Sequence, residues 1–226
     1  MSSDIEKFYS LNEKKDENGT SYYLSLSSLR KEESYALYNI VKKYKPTRAL
    51  EVGLALAGSA IAVITAKKEI GITEKHIALD PFQKSNAGNV GLLALKNAGL
   101  GNDFIHHEEF SEHYFNKMFG EKALFDLIFI DGNHTIGQAV TDVFLADKIL
   151  NKNGIIGIHD SLLFSTAASV KYLLQEKNYS IVSPVNNSFK RMARQVKYIR
   201  KLGFWYCFNV IPKINVSVIF LQKNEF

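Results

Sequence analysis

Arg48-Ala49-Leu50-Glu51-Val52-Gly53-Leu54-Ala55-Leu56-Ala57-Gly58-Ser59 is the stretch that decides the fold. Ala49, Leu50 and Val52 make a short apolar strand, and an acid, Glu51, stands at its end. Gly53 follows at once, and Gly58 opens an apolar helical run from Ser59 to Ala66. A glycine in such a turn lets backbone approach a ligand with no Cβ in the way. A helix beginning at Ser59 aims unpaired N–H groups at whatever binds there. The acid is poorly placed for a pyrophosphate and well placed to hold an ammonium or a hydroxyl. The glycine spacing is G-x-x-x-x-G, not the G-x-G-x-x-G that cradles a dinucleotide. An ordinary strand–turn–helix of any α/β protein reads the same way.

Outward from this turn, the chain has 226 residues, enough for one α/β domain with a substantial core. Its 46% hydrophobic and 23% charged content is that of a globular protein and not of a disordered chain. Met1–Ser10 has no basic start followed by an apolar run, so no secretory signal is expected and a cytoplasmic location fits. The long apolar run Ala49–Ala66 contains Glu51, Gly53 and Gly58, which makes it buried strand, turn and helix, not a membrane span. The single cysteine, Cys207, excludes an intrachain disulfide and a cysteine-based zinc site. Net charge is +5, and six basic residues lie within 190–201 with no acid among them, which leaves −1 on the rest. A near-neutral body with one basic segment does not suit a general nucleic-acid binder.

Residues 1–26 read as an N-terminal arm, loose or docked, and 27–226 as one domain in which 190–201 is a basic insertion. The spacing of Leu29, Tyr35, Leu37, Ile40 and Val41 predicts a helix over 27–44, capped by Ser27 or Ser28 and ended by Lys45-Pro46. Strands are then predicted at 48–53, 76–79, 103–107, 125–130 and 154–159. Helices are predicted between and after them at 59–68, 87–98, 111–119, 135–150 and 164–177. This alternation predicts a doubly wound, mostly parallel sheet. The apolar runs Phe204–Val210 and Val216–Leu221, joined through Pro212, predict a C-terminal antiparallel hairpin at the sheet end.

Ligands of an open α/β sheet sit beyond the carboxyl ends of its strands. Four predicted strands end there in acids: Glu51, Asp80, Asp131 (in Asp131-Gly132-Asn133-His134) and Asp160 (in His159-Asp160-Ser161). Acids brought this close repel one another unless cations or hydroxyl-rich ligands intervene.

In their joint order, four groups of residues carry a family resemblance. They are Glu51/Gly53/Gly58/Ser59, Asp80, Phe125-Asp126-Leu127-Ile128-Phe129-Ile130-Asp131-Gly132-Asn133-His134, and Asn153-Gly154-Ile155-Ile156-Gly157-Ile158-His159-Asp160. Together they resemble the class I S-adenosylmethionine (SAM) methyltransferases, in particular the bacterial group with Asp-Gly-x-His after strand four and His-Asp after strand five. The resemblance spans residues 27–221 and implies a seven-stranded Rossmann-like sheet. By that resemblance Glu51 and the turn Gly53–Ser59 meet the methionine part of SAM. Asp80 takes both ribose hydroxyls, and the loop Glu109–Ser111 borders the adenine, with Ser111 and Asp131 counted among the cofactor contacts. The family often has a glycine and a small polar residue in that loop, where this chain has His107-Glu108-Glu109-Phe110-Ser111.

The family also implies the chemistry. Many relatives hold a divalent metal with the acid after strand four and acids after strand five. The metal binds two substrate oxygens and lowers the pKa of the attacking hydroxyl. Asp131, His159 and Asp160 stand in those places, with Mg²⁺ or Mn²⁺ as the expected ion; His159 replaces an acid and Ser161 an amide seen in some relatives. Asp131, His134 and Asp160 are the expected catalytic residues. For His134, a metal-free general base, a neighbour of the metal, and a packing residue of the following helix all remain open.

The function expected from this is O-methylation of a small hydroxylated acceptor, a glycan or secondary metabolite, carrying an anionic group if the basic segment contacts it. The segment reads equally as a solvated face, or as contact with a membrane surface or RNA. Self-association is left open. His106, His107, Glu108, Glu109 and His113 are dense in ligand types, but neighbours on a strand point to opposite faces. Tyr22, Tyr23 and the serines up to Ser28 either cap a substrate pocket or form a docked arm. Base-amine methylation is disfavoured because strand four does not end in an Asn/Asp-Pro-Pro-aromatic turn. The rival readings are a non-catalytic binding protein of the same fold and a nicotinamide-dependent oxidoreductase, against which the glycine spacing speaks.

Overall fold

The protein is described by a computed structural model over residues 2–182, 201–203, 205–207, 209–211 and 217–225. The basic stretch 190–201 therefore lies, apart from Lys201, outside the described residues. The chain begins with α1 (Ser3–Tyr9), a small antiparallel pair β1 (Glu13–Lys15) and β2 (Ser21–Tyr23), and the short α2 (Leu24–Ser27). Then come α3 (Lys31–Tyr44), β3 (Ala49–Val52), α4 (Gly58–Glu69), β4 (His76–Leu79), α5 (Val90–Asn97), β5 (Phe104–His107), α6 (Ser111–Gly120) and β6 (Phe125–Ile130). The last elements are α7 (Ile136–Lys148), β7 (Leu150–Ile158), α8 (Phe164–Gln175), β8 (Tyr179–Ile181) and β9 (Ile219–Lys223).

Among the described residues seven strands form one sheet in the order β5-β4-β3-β6-β7-β9-β8. The first five are parallel, and β9 runs antiparallel to both β7 and β8. All four residues of β3 are buried, as expected for a strand covered on both faces. Leu50 and Val52 face one apolar layer with Tyr114, Phe115 and Val143 of α6 and α7. Ala49 faces the other, with Val63 and Ala66 of α4 and Leu37 of α3. Helices on both faces make this the doubly wound, Rossmann-like sheet expected, with antiparallel strands at its C-terminal end.

Three details differ from the sequence expectation. The partner of β9 is β8, not residues 204–210, whose described members 205–207 and 209 are helical. Leu202, Tyr206, Cys207 and Val210 are buried together, a helical spacing; a short apolar run does not by itself distinguish a strand from a buried helix. Helix α7 ends at Lys148, and its buried face is Ala139, Val143 and Ala146, while Ile136 is half exposed. Helix α3 starts after Arg30, whose backbone N–H donates to Glu33 Oε2 at 2.9 Å, so neither Ser27 nor Ser28 is its cap.

The N-terminal elements are packed on the domain. Ile5 and Phe8 of α1 are buried with Ala60, Ile61 and Ile64 of α4. Lys31 Nζ of α3 donates to Glu6 Oε2 of α1 at 2.6 Å, tying α1 to α3 as well.

Candidate active site

The turn after β3 is shaped by a close approach. Gly53 has φ +89°, and a Cβ there would lie 2.2 Å from the carbonyl oxygen of Asp131. Only glycine fits, so the ends of β3 and β6 meet backbone to backbone. Ala55 and Ala57 follow at φ 43° and 69°, a left-handed conformation that alanine avoids unless neighbours impose it. At Ala55 the Asp80 carboxylate braces the turn, and Ala57 N–H donates to Leu54 O at 2.7 Å. Asp80 Oδ2 accepts the N–H groups of Leu54 (3.2 Å) and Ala55 (3.0 Å) and Nε2–H of Gln83 (3.0 Å); its Oδ1 accepts Phe82 N–H at 2.9 Å. Gln83, fully buried, also donates to Ala55 O at 2.7 Å.

Above this turn lies a cavity of about 400 Å³, bounded by Gly53, Asp80, Phe82, Phe110, Asp131 and Asp142. The Phe82 and Phe110 rings meet edge to face at 5.7 Å, and each is nearly half exposed. At the buried end, Ser111 Oγ and Gln138 Nε2 donate to Asp142 Oδ1, while Oδ2 has no hydrogen-bond partner among the described residues. Burial pushes the Asp142 carboxyl above its ordinary range, against the hydrogen bonds from Ser111 and Gln138.

A second cavity, about 470 Å³, shares Ala55 and Asp131 with the first. Ser25, Ser28, Arg30, His134, Asp160 and Ser217 contribute to its walls. His159 Nδ1 stands 2.7 Å from Asp131 Oδ1, and its Nε2 stands 3.3 Å from Glu33 Oε2. His134 Nε2 is 3.7 Å from Asp131 Oδ1 and 3.5 Å from Asp160 Oδ2. Burial opposes charge on His159, but the hydrogen bonds to Asp131 and Glu33 prevail and hold its pKa at about 10. Glu33 is likewise penalised by burial, and hydrogen bonds from His159 and Arg30 hold its carboxyl well below the usual range. Asp160 is placed by a left-handed residue conformation, φ 48°, and its carbonyl accepts Thr166 Oγ1–H.

The structure brings Asp131, His134, His159 and Asp160 together and puts Asp80 and Ser111 at the neighbouring cavity. Glu51, Gly58 and Ser59 are not on either wall. Glu51 is fully buried on the Ala49 side of β3, 3.4 Å from His76 Nε2, and neither carboxylate oxygen has a hydrogen bond. The histidine-rich segment divides as strand geometry requires: His106 Nε2 approaches Asp80 O at 3.1 Å and His107 Nδ1 approaches Glu109 at 3.6 Å. Ser161 Oγ is committed to Ser217 O at 2.8 Å. Of the N-terminal candidates, Ser25 and Ser28 reach the polar cavity, Tyr22 packs beside the α4 core and Tyr23 is exposed. Sequence reading missed Arg30, Glu33, Gln83 and Asp142. The Arg30–Glu33 spacing signals a helix start, but nothing local signals that Glu33 meets His159, 126 residues away.

Residues 50–161 match the family model of a methyltransferase domain. That segment holds the glycine turn, Asp80, Asp131, His134, His159 and Asp160. No curated protein matches the chain. Among solved structures, the O-methyltransferase from Bacillus cereus in complex with SAH superposes with TM-score 0.67 at 12% identity, covering 100% of this chain and 92% of that one. The O-methyltransferase TomG from Streptomyces achromogenes, involved in tomaymycin synthesis and solved with SAM, gives 0.62 at 12% identity, covering 88% and 82%. The SAH-bound methyltransferase from Podospora anserina gives 0.59 at 16% identity, covering 87% and 80%. At these identities the likeness establishes a shared fold, the Rossmann-like fold of methyltransferases.

Proposed function

We propose that the protein is a SAM-dependent methyltransferase that methylates a hydroxyl of a small, polar acceptor. The observation that carries this reading is the pair of cavities meeting at Ala55 and Asp131. One is built by a glycine turn and edged by aromatic rings, which suits a nucleoside. The other is lined by serine hydroxyls, carboxylates, histidines and Arg30, which suits a hydroxylated acceptor, and Arg30 gives it a place for an anionic group. In the cofactor cavity, Asp80 Oδ2 already accepts three N–H groups, so Oδ1 is the oxygen left for a ribose hydroxyl.

In the reaction the S–CH₃ bond of the sulfonium breaks with its electron pair staying on sulfur. An O–CH₃ bond forms, and the hydroxyl proton passes to the protein. Asp131, His134 and Asp160 surround the place where that proton leaves. His134 Nε2 faces Asp160 Oδ2 at 3.5 Å, an arrangement that stabilises an imidazolium once the proton is taken. The same cluster fits a divalent cation, since ligand atoms of Asp131, His134 and His159 lie within 4.8 Å of one another. Of the ligands expected from the sequence, Asp131 and His159 belong to that group and Asp160 Oδ2 adjoins it, 3.9 Å from His159 Nδ1; an ion held there would orient two acceptor oxygens and lower the hydroxyl pKa. No helix among the described residues is long and apolar enough to cross a membrane, and a cytoplasmic small-molecule enzyme is the setting we infer.

The test is calorimetry of the whole chain with SAH and SAM, followed by mass spectrometry of cell extract incubated with enzyme and methyl-labelled SAM. A labelled product and SAH binding are expected. Absence of SAH binding by the folded chain removes the reading.

A further inference from the structure

His134 and His159 change the character of the cluster, and Glu33 explains how. Asp131 Oδ1, His134 Nε2 and His159 Nδ1 come from the end of β6, the loop after it and the end of β7, and lie mutually within 4.8 Å. Asp160 Oδ2 adjoins both rings, 3.5 Å from His134 Nε2 and 3.9 Å from His159 Nδ1. The far nitrogen of His159 points at Glu33 Oε2, 3.3 Å away, on a carboxylate whose side chain is 2% exposed. An outer carboxylate that accepts one ring N–H fixes the tautomer and turns the other nitrogen's lone pair toward an ion. Glu33 is itself immobilised, since Arg30 N–H, Arg30 Nε–H (3.1 Å) and Ser217 N–H (3.2 Å) donate to it. Among the described residues His134 makes no hydrogen bond, and its side chain is 36% exposed at the polar cavity. A centre of this kind keeps open positions on the cavity side.

We propose that Asp131, His134 and His159, with Asp160 adjoining, form a mixed nitrogen–oxygen centre selective for a transition-metal dication over Mg²⁺, with Glu33 as the outer-shell residue that orients His159. Two imidazoles favour borderline ions such as Fe²⁺, Co²⁺ or Zn²⁺, whereas Mg²⁺ prefers oxygen ligands and water. The centre deepens the methyltransferase reading and makes His134 a ligand in place of a free base.

The experiment uses the whole chain stripped with chelator. Co²⁺ and Mg²⁺ are titrated separately by calorimetry, and the Co²⁺ form is followed by its visible absorption. One Co²⁺ per chain is expected, bound at least about tenfold more tightly than Mg²⁺, with absorption bands of nitrogen–oxygen coordination. His134→Ala, at a partly exposed position, should weaken Co²⁺ binding about tenfold or more, narrow its lead over Mg²⁺ and alter the spectrum. Glu33→Gln should weaken Co²⁺ about tenfold to a hundredfold with the ligand set intact; Glu33→Asp, which keeps the charge, reports the same effect if the glutamine variant does not fold. Equal affinity for Mg²⁺ and Co²⁺, or an unchanged Co²⁺ spectrum in His134→Ala, overturns the proposal. SAH binding without any dication binding overturns the centre and leaves the methyltransferase reading standing. Co²⁺ binding as described without SAH binding upholds the centre and removes that reading.

Discussion

Replacing Asp80 tests how the cofactor turn is held. In Asp80→Ala, the N–H groups of Leu54, Ala55 and Phe82 and the amide of Gln83 lose their acceptor at once. A buried donor left unpaired costs about 1–3 kcal/mol. The cavity beside this turn admits water to some of these groups, so a net loss of roughly 2–4 kcal/mol is expected. For a domain of this size that lowers Tm by about 4–16 °C. Ala55, braced in the left-handed region by this network, relaxes toward ordinary backbone and the cavity floor opens. SAH affinity should fall about tenfold to a hundredfold, because one charge-assisted bond to the ribose is worth roughly 1.5–3 kcal/mol. Asp80→Asn, which keeps a carbonyl acceptor, should recover part of the Tm and little of the affinity. Differential scanning calorimetry and isothermal titration with SAH measure the two effects. If Asp80→Ala melts within about 1 °C of the parent and binds SAH within twofold, the carboxylate neither holds the turn nor meets the ribose, and the reasoning is refuted.

Other outcomes follow from single contacts. Gly53→Ala should cost about 3 kcal/mol or more, because its Cβ would sit 2.2 Å from a backbone oxygen at positive φ. Gly132→Ala, whose Cβ meets the Val52 methyl at 2.9 Å, should cost clearly less, and urea unfolding of both variants checks the order. Phe110→Ala removes a ring nearly half exposed, so Tm should move little while SAH affinity drops about tenfold; equal affinity would mean the ring does not touch the cofactor. Lys67 is buried, with its ammonium on Thr47 O, and burial pulls its pKa from the ordinary 10.5 to about 8. Between pH 8 and 10.5 the unfolded chain binds that proton and the folded chain does not, so Lys67 makes stability rise with pH there. The stability difference between Lys67→Met and the parent should move about 2–3 kcal/mol toward the parent across that window, as read by urea unfolding at a series of pH values.

The parallel strands were legible because each is a short apolar run that ends in an acid or a turn, and periods of two and of three to four residues are local properties of a chain. Strand β8 was not, because Tyr179–Ile181 is three residues long and carries no period. The helical residues 201–203, 205–207 and 209 were misread because Trp205 and Tyr206 fit either a strand or a buried helix face. In the cluster, Asp131, His134, His159 and Asp160 could be read from their places at strand ends, since topology carries every such end to one edge. Glu33 could not, because its role depends on a helix start being laid against that edge. Glu51 shows the reverse: its position in the motif drew attention to it, while the pleat turns its carboxylate to the α4 side, away from both cavities.

Glu33 joins parts of the chain that are far apart in sequence: its carboxylate meets His159 at a separation of 126 residues and Ser217 at 184. Closing loops of that length comes late, after local helices and neighbouring parallel strands have formed. The β3 turn and its anchor at Asp80 need only a 25–26-residue span. In refolding from urea the β3 turn and its Asp80 anchor are therefore expected to form before the polar cavity, which is completed when Ser217 and β9 are seated. A chain still being synthesised thus holds no finished polar cavity until Ser217, one of its walls, has been made.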